Sequence, residues 1–384
     1  MSNYMIRLTP LDAFFFGQES KYRKKYSNGK NELKADYYQV SSLFPQQTSV
    51  LGMLRYFILQ QEKQIPITDK EKAGRLVGDR SFDPDTKEPS FGAIKTLSPV
   101  FVIDGKNRTW FMNPADLVIR DGRIVQLQRA AAPFRSNLQS GGKEWMENFD
   151  AKKGLSRFLI SGNDWRPLTQ ETNDKPGESV FVTEERIGIE KDKEKDKDKD
   201  KDKEKEKEKK GATREEAFYK QKVVKMRPGF SFGLIAGLDG ASPEDGVVGF
   251  GAEKSLFRIT FEAFDREFHS LADIPHHNAP GLVLLSDAFL PGFDEAVKRC
   301  TFYINPLAPF RFLKTRVREG VNYYSSDPLK RSGGAMQRSQ KYQLLQKGSV
   351  FFFRDEDAMQ EFAGKLDQQV NFRQIGYNHY KTIK

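Results

Sequence analysis

The residues best suited to catalysis are the four histidines, His269, His276, His277 and His379. An imidazole titrates near neutral pH and can act as a general base, so the adjacent pair in IPHHNAPG could support metal-free ribonuclease chemistry. Histidines in a loop of proline, asparagine and glycine are more often simply exposed. No HExxH or CxxC spacing and no evenly spaced carboxylate cluster occurs. The sequence therefore predicts no metal centre and no catalytic role.

A glycine-rich stretch in the middle of the chain could bind an anion through its backbone. Its glycines separate two apolar, strand-like segments at 230–235 and 256–261, and they are Gly237, Gly240, Gly246, Gly249 and Gly251. Glycine lets a ligand approach the main chain closely, and successive N–H groups can form a concave anion site. The spacing matches neither the P-loop nor the dinucleotide fingerprint, so no nucleotide cofactor is predicted. A long hairpin with an unstructured tip remains the alternative.

Basic residues concentrate in residues 301–350, which hold nine lysines and arginines against two acidic residues, a net charge of +7. Aromatic residues are interleaved with them. Cations for phosphates and rings for bases are typical of a surface for single-stranded nucleic acid. The alternative is a solvated loop with scattered core aromatics. The aromatic residues are Tyr303, Phe310, Phe312, Tyr323, Tyr324 and Tyr342.

The most highly charged stretch contributes little to the net charge of +10. Residues 190–210 form a low-complexity run of eleven lysines and ten acidic residues, net +1. Such alternation has no apolar face to bury, so we expect a solvated segment, either disordered or a frayed helix. The basic surface must therefore lie elsewhere in the chain.

Length and composition indicate a protein of about two domains. The only cysteine, Cys300, excludes an internal disulfide and a cysteine-based zinc site, and it suits a reducing compartment. The N-terminal residues lack a basic signal region, and no run of 18 apolar residues occurs. We therefore expect a cytoplasmic protein without membrane contact.

Local patterns predict an α+β chain. A first strand is expected over 4–16, broken at Pro10, followed by a basic loop. The clearest helix is FPQQTSVLGMLRYFILQQ, which Thr48 or Ser49 can cap and in which Arg55 lies near the start. Further strands are expected at 100–103, 117–119, 124–127, 180–189, 217–226, 281–285 and 349–353. Helices are expected at 293–299 and at 356–366, and residues 130–175 are expected to be irregular.

Seven short blocks resemble the RAMP superfamily of CRISPR proteins. They are PLDAFFF, FPQQTSVLGMLR, ERIGI, GVVGFG, SGGAM, QKGSVFFF and QIGYN. Within the superfamily they are most similar to the family of the third subunit of the type III-B (Cmr) effector complex. Type III-A relatives share the early blocks, whereas the GSVFFF and GYN tail favours Cmr. The lysine-acid run is an insertion, and residues 62–175 match no known block.

The resemblance implies two ferredoxin-like (RRM-like) domains with antiparallel sheets, over 1–264 and 265–384, with a glycine-rich loop closing the first. It also implies a non-catalytic RNA-binding role without a cofactor. The chain would cap the 5′ handle of crRNA and dock the large polymerase-like subunit. Target RNA would be contacted indirectly, through the other Cmr subunits.

The resemblance also indicates residues that would bind RNA. The helix block contributes Thr48, Ser49 and Arg55, the glycine loop Gly249 and Gly251, and the late basic block Arg331, Gly333 and Gly334. We add Lys225 and Arg227 at the start of the glycine-rich stretch, and Arg338 and Lys341 from the basic segment. The helix N-terminus and the glycine loop would offer N–H groups to phosphates, and Arg55 a charge-assisted bond.

Two functions from other classes remain open. A guide-processing endoribonuclease on the same fold would need His276, His277 or His379 beside the RNA. A protein scaffold would have no affinity for the handle RNA even at low salt.

Overall fold

A computed structural model describes residues 1–17, 21–26, 33–78, 80–86, 89–127, 149, 152, 154–169, 179–190, 217–240, 242–251, 254–275, 280–314 and 337–383. The helices in these ranges are α1 (Gln47–Gln61), α2 (Lys70–Val77), α3 (Phe293–Ala296), α4 (Glu356–Asp367) and α5 (Val370–Gln374), with 3₁₀ turns at Phe268–Leu271 and Val297–Arg299. The first twelve strands are β1 (Ser2–Pro10), β2 (Phe16–Gly17), β3 (Lys21–Tyr26), β4 (Leu33–Ser42), β5 (Ile94–Leu97), β6 (Phe101–Asp104), β7 (Thr109–Met112), β8 (Leu117–Arg120), β9 (Arg123–Gln126), β10 (Phe158–Ser161), β11 (Asp164–Pro167) and β12 (Phe181–Glu190). The remaining strands are β13 (Ala217–Met226), β14 (Phe230–Leu238), β15 (Gly246–Phe250), β16 (Ser255–Ala263), β17 (Gly281–Leu284), β18 (Cys300–Ile304), β19 (Leu307–Phe310), β20 (Leu313–Lys314), β21 (Gln337–Arg338), β22 (Tyr342–Leu345), β23 (Val350–Phe353) and β24 (Tyr380–Ile383).

The largest sheet has nine strands in the order β11-β10-β7-β6-β14-β1-β16-β15, with β5 also pairing with β14. β1 lies in its middle, so that Tyr4 faces Ala236 on one side and Ala263 on the other. The alternative of one long hairpin over the glycine-rich stretch is therefore wrong, because β1 separates β14 from β16. Part of the expected turn is itself a strand, β15. Alternating apolar residues predict a strand but do not say which strand will be its neighbour.

Residues 130–175 are not wholly irregular, because β10 and β11 form a hairpin on the edge of this sheet. Their four-residue strands carry no long alternating pattern that the sequence could reveal. The edge hairpin is joined to the sheet through β7, where Leu159 pairs with Met112.

A second sheet has five strands in the order β12-β13-β4-β2, with β3 also pairing with β4. β12 and β13 form the predicted hairpin, in register from Phe181 opposite Met226 to Glu190 opposite Ala217. β13 pairs with β4 in parallel, whereas the other named ladders in the described residues are antiparallel. The lysine-acid run connects the two arms of the hairpin, and residues 191–216 lie outside the described residues.

We predict that this run is dispensable for the fold and for RNA binding. The closure entropy of a loop changes slowly with its length, so replacing residues 191–210 with a short Gly/Ser turn should leave the thermal midpoint unchanged. Affinity for RNA should also stay within about twofold, a difference below ~0.5 kcal/mol. A Gly/Ser segment of the original length is the matched control for loss of charge alone. A tenfold loss of affinity in both variants would place the run in the binding site.

The third main sheet has the order β18-β23-β17-β24 and lies entirely in the C-terminal part of the chain. Every ladder between named strands in the described ranges joins partners on the same side of residue 264. The mixed α+β class with antiparallel sheets is confirmed. The division into two ferredoxin-like domains at 264/265 stays a prediction.

Hydrophobic packing, unlike strand pairing, crosses residue 264. One cluster joins Phe14 and Phe232 to Phe310 and Phe372, and a second joins Phe111 to residues of the C-terminal sheet such as Val283. The rings of Phe82, in the N-terminal part, and Phe372 are 5.1 Å apart in a T-shaped contact. The apolar packing therefore holds the N- and C-terminal sheets together, and their relative position depends on this shared core.

The aromatic residues of the basic segment are less available for base stacking than expected. Phe310 and Phe312 are buried, and Tyr342 packs against the same cluster. Tyr303 is 42% exposed, although its ring stacks on Phe351. The assignment of Phe310 and Phe312 to a binding surface is therefore wrong, because their rings complete the core between the sheets. Tyr323 and Tyr324 lie outside the described residues.

None of the helices in the described ranges combines the length and the apolar character that a membrane-crossing helix requires.

Candidate functional site

Helix α1 begins before Thr48 and Ser49, the two residues predicted to cap it. Gln46 is the N-cap residue and makes no side-chain capping bond, and the helix starts at Gln47. Thr48 and Ser49 therefore lie in the first turn, Thr48 half-buried and Ser49 exposed. The capping role predicted for them is wrong. Ser49 is the one of the two whose side chain stays available to a ligand.

The QIGYN block packs against the start of α1. The Gln47 side-chain amide donates from Nε2 to the carbonyl oxygens of Ser98, at 2.9 Å, and of Gly376, at 3.0 Å. Tyr377 is buried beside Thr48, and this burial raises the pKa of its hydroxyl. Two blocks 329 residues apart thus meet at one helix end. The first turn of α1 is partly covered by the C-terminal segment instead of facing solvent alone.

The Arg55 side chain points at protein backbone. Its guanidinium donates from Nη2 to the carbonyl oxygen of Gly78 at 2.7 Å and from Nη1 to that of Arg80 at 2.9 Å. The guanidinium that was expected to bond to an RNA phosphate is therefore engaged by carbonyl groups of the protein itself. Arg55 ties α1 to the loop that follows α2, where helix-end carbonyls need donors.

We predict that Arg55→Ala lowers stability more than RNA affinity. Loss of a charged donor leaves two carbonyls without their partner, at a cost of ~1–3 kcal/mol in the free energy of unfolding. Urea denaturation measures this, and Arg75→Ala is the matched control because Arg75 forms an exposed pair with Glu71. The opposite pattern, lost RNA affinity with unchanged stability, would restore Arg55 to the binding site.

Lys225 and Arg227 both have protein partners. Lys225 Nζ lies 2.9 Å from the Glu184 carboxylate and 3.7 Å from that of Asp12. The hydrogen bond to Glu184 raises the pKa of Lys225. Arg227 donates from Nε to the hydroxyl of Ser179 at 3.3 Å. Both side chains are half-buried, so any contact with a phosphate would have to be shared with these partners.

Gly249 and Gly251 of the GVVGFG block differ in how much room surrounds them. Gly251 has φ +93°, and a Cβ there would lie 2.5 Å from the carbonyl oxygen of Phe15. This close approach within the protein explains why residue 251 is a glycine. Gly249 is exposed on β15, and a Cβ would make only ordinary contacts with Lys254, the nearest at 3.5 Å. Gly249 is therefore the glycine that stays open to a ligand.

The late basic block is only partly described. Arg331, Gly333 and Gly334 lie outside the described residues, and only the backbone of Arg338 is described, in β21. Lys341 is exposed just before β22.

His269 and His379 are both half-buried and stack on each other. The rings of His269 and His379 stack with centroids 5.7 Å apart, and His379 Nε2 lies 3.2 Å from the carbonyl oxygen of Arg373. Burial lowers the pKa of His379 to about 3, helped by the charge of Arg373, and burial also lowers that of His269. His276 and His277 lie outside the described residues. Within the described ranges, no three or more His, Cys, Asp or Glu side chains are grouped to hold a metal ion.

Sequence reasoning missed Arg157, which lies in the stretch without a recognised block. Its Nη1 donates to the Gln346 side-chain oxygen at 2.8 Å, across 189 residues of sequence. From the sequence alone, Lys347 counted only as one of the nine basic residues in the segment 301–350. The two cations line one pocket. No local signal could have brought them together.

The fold and the charge distribution define a basic α+β protein built mainly on antiparallel sheets. The family model described as CRISPR-associated protein (Cas_Cmr3) matches residues 6–384, so the chain belongs to this family. The match confirms the resemblance based on the seven sequence blocks.

Two solved structures are similar to the chain. Both are type III-B Cmr-beta assemblies bound to cognate target RNA, the second also with AMPPnP (state 1). The matched chains are each 11% identical, with TM-scores of 0.46 and 0.43. The matches cover 98% of this chain and 96% and 94% of theirs. A search of the curated proteins found no significant match.

Proposed function

We propose that the chain is the RNA-binding subunit of a type III-B CRISPR effector complex. In this role it caps the 5′ handle of crRNA and docks the large polymerase-like subunit. The observation that carries the proposal is membership of the Cas_Cmr3 family over nearly the whole chain. The solved Cmr-beta assemblies similar to it were determined with target RNA bound.

Charge supports the RNA-binding part of the proposal. Residues 301–314 and 337–350 contain five basic residues and no acidic one. A polyanion such as RNA releases condensed counterions when it meets such a row of cations, and this release favours binding. Ser49, Gly249 and Lys341 are the proposed contact residues whose exposure leaves them accessible to a strand.

An exposed apolar edge supports the docking part. β15 is the last strand of the nine-stranded sheet, and Val247 on it is 49% exposed. Leu256 on β16 is 55% exposed. Leu11 donates its backbone N–H to the carbonyl oxygen of Leu256 and is 48% exposed. A strand at the edge of a sheet with exposed apolar side chains is a favourable place for another protein to bind.

The test of the proposal is co-expression of the chain with its neighbouring subunits, purification through this chain and sequencing of the RNA that accompanies it. Guide RNAs with one common 5′ end are expected. RNA without a shared 5′ sequence would contradict the capping role. Absence of RNA in the complex and of affinity at low salt would favour a scaffold.

A non-catalytic role is part of the proposal, supported by the low pKa and burial of His379, which make it a poor general base. The purified chain is expected to leave precursor crRNA uncut without metal. Cleavage that disappears on substitution of His276, His277 or His379 would favour the endoribonuclease instead.

A further inference from the structure

A pocket of about 240 Å³ lies between the N-terminal and C-terminal parts of the protein. Its N-terminal wall includes Met112 and Arg157, and its C-terminal wall includes Gln346 and Lys347. The function proposed above does not assign it a role.

Backbone contacts hold the two walls together. The N–H of Ala115 donates to the carbonyl oxygen of Gly348 at 2.7 Å. Gly348 has φ +88°, and a Cβ there would lie 2.5 Å from the carbonyl oxygen of Asn113. The hydrogen bond between the Arg157 and Gln346 side chains joins the same two walls. The pocket is therefore built by close packing rather than by a loose surface loop.

Most polar groups of the pocket have protein partners, and one nitrogen of the Arg157 guanidinium is among them through its bond to Gln346. The Asn113 amide donates to the carbonyls of Pro114, Leu117 and Ser156, and its oxygen accepts from the N–H of Phe158. These bonds leave Asn113 no free donor for a ligand. Recognition in this pocket therefore depends on Arg157 and Lys347.

Lys347 has no oxygen partner in the described part of the chain. Its ammonium lies 3.3 Å from the centroid of the Phe44 ring, and no described side chain forms an ion pair with it. The Asp287 carboxylate accepts the backbone N–H of Lys347 at 2.9 Å and attracts both Lys347 and Arg157 from a distance. Burial lowers the pKa of Lys347 to about 7. Two cationic side chains thus face one carboxylate, and the pocket has room for a further negative charge.

We propose that the pocket between Arg157 and Lys347 binds a backbone phosphate of the guide RNA, an inference that rests on the function proposed above. Arg157 is exposed and offers a planar fork of donors that fits phosphate oxygens, and the Lys347 ammonium, which lies over the Phe44 ring, adds a second positive charge. The apolar side chains of the wall, such as Met112 and Pro306, can cover the adjoining sugar.

The surrounding charge favours RNA over a carboxylate of a partner protein. Arg338 and Lys341 precede Lys347 in a part of the chain without acidic residues, so the sequence leading to Lys347 carries only positive charge. A single carboxylate would meet only one of these charges, whereas successive phosphates of one strand can meet several.

The experiment measures binding of full-length protein to labelled single-stranded guide RNA, for the wild type, Arg157→Gln and Lys347→Met. Both substitutions remove the charge; Lys347→Met keeps a side chain of similar length, and Arg157→Gln keeps a shorter polar one. Lys298→Met is the matched control, because Lys298 is exposed and paired with Glu295. Each pocket variant should lose about tenfold or more in affinity, and the slope of log affinity against log salt should flatten by about 0.7. Lys298→Met should bind as the wild type does.

The pH dependence separates a phosphate contact from loss of folding. Free Lys347 is protonated below its pKa of about 7, and bound phosphate favours the protonated form. Wild-type affinity should therefore fall as the pH rises from about 7 to about 8.5, because Lys347 loses its proton over this range. Lys347→Met should not show this fall, and Lys298→Met should. Lys347→Met should keep or raise the thermal midpoint at pH 7, because it removes a charge that is costly to bury.

The outcomes distinguish this inference from the proposed function. Wild-type protein without affinity for RNA at low salt would overturn both. RNA binding by Arg157→Gln and Lys347→Met equal to that of the wild type would overturn the pocket assignment alone. If these variants bound RNA normally but no longer co-purified with a neighbouring subunit, the pocket would belong to a partner protein.

Discussion

Gly376→Ala is expected to lower the free energy of unfolding by ~3 kcal/mol or more, the largest effect of any single substitution considered for this protein. Gly376 has φ +94°, a conformation that is strained for any residue with a Cβ. The added Cβ would also lie 2.5 Å from the carbonyl oxygen of Ser98 and collide with the Gln47 side-chain amide. Gln47 would then lose the bonds that attach the C-terminal segment to α1.

Urea denaturation of the purified chain measures this effect. Gly364→Ala is the matched control, because Gly364 lies inside α4 and no atom comes within 4 Å of an added Cβ. Alanine is a better helix former than glycine, so this control should gain ~0.5–1 kcal/mol. If both variants unfolded like the wild type, the described contact between the QIGYN block and α1 would be contradicted.

Neutralising Arg331, Arg338 and Lys341 together is expected to flatten the salt dependence of RNA binding by about two units of slope. Each cation that meets a phosphate of a single strand contributes about −0.7 to the slope of log affinity against log salt. RNA with and without the handle should be weakened alike, because phosphate contacts position a strand without reading its sequence. Titration of labelled RNA at several salt concentrations measures both quantities.

The matched control removes three other charges. Arg75, Lys298 and Arg354 are exposed and each is paired with a neighbouring carboxylate. Their joint neutralisation lowers the net charge by the same amount, so it tests whether overall charge alone explains the result. An unchanged slope in the Arg331, Arg338 and Lys341 variant would mean that this segment faces a partner protein, and the basic N-terminal segment 21–34 would become the next candidate.

Elements with a strong local pattern were predicted closely. β13 has the expected bounds, and β12 lies within a residue of its prediction at either end. Helix α4 was placed to within one residue, and Asp355 caps it, because its carboxylate accepts the N–H of Ala358 at 2.9 Å. These elements depend on periodicity and on a capping residue next to the helix, both of which are visible in a short window.

The candidate site was predicted less well than the elements that carry it. Arg55 was assigned to RNA from its position on α1, but it is held by carbonyls beyond α2. Arg157 was not considered, although it shares a pocket with Lys347. A side chain's partner can lie anywhere in the sequence, so its availability to a ligand is decided after the elements have packed.

By itself, the amino-acid sequence determined the α+β class, the family resemblance, the near-zero net charge of the lysine-acid run, and the strands and helices with clear periodicity. Only the tertiary structure decided that β1 lies between β14 and β16, that Phe310 and Phe312 belong to the core, and that the QIGYN block meets the start of α1. The first group depends on residue types and on spacings within a few turns or strand lengths. The second depends on which apolar faces can be buried together, and residues far apart in the sequence make that choice jointly.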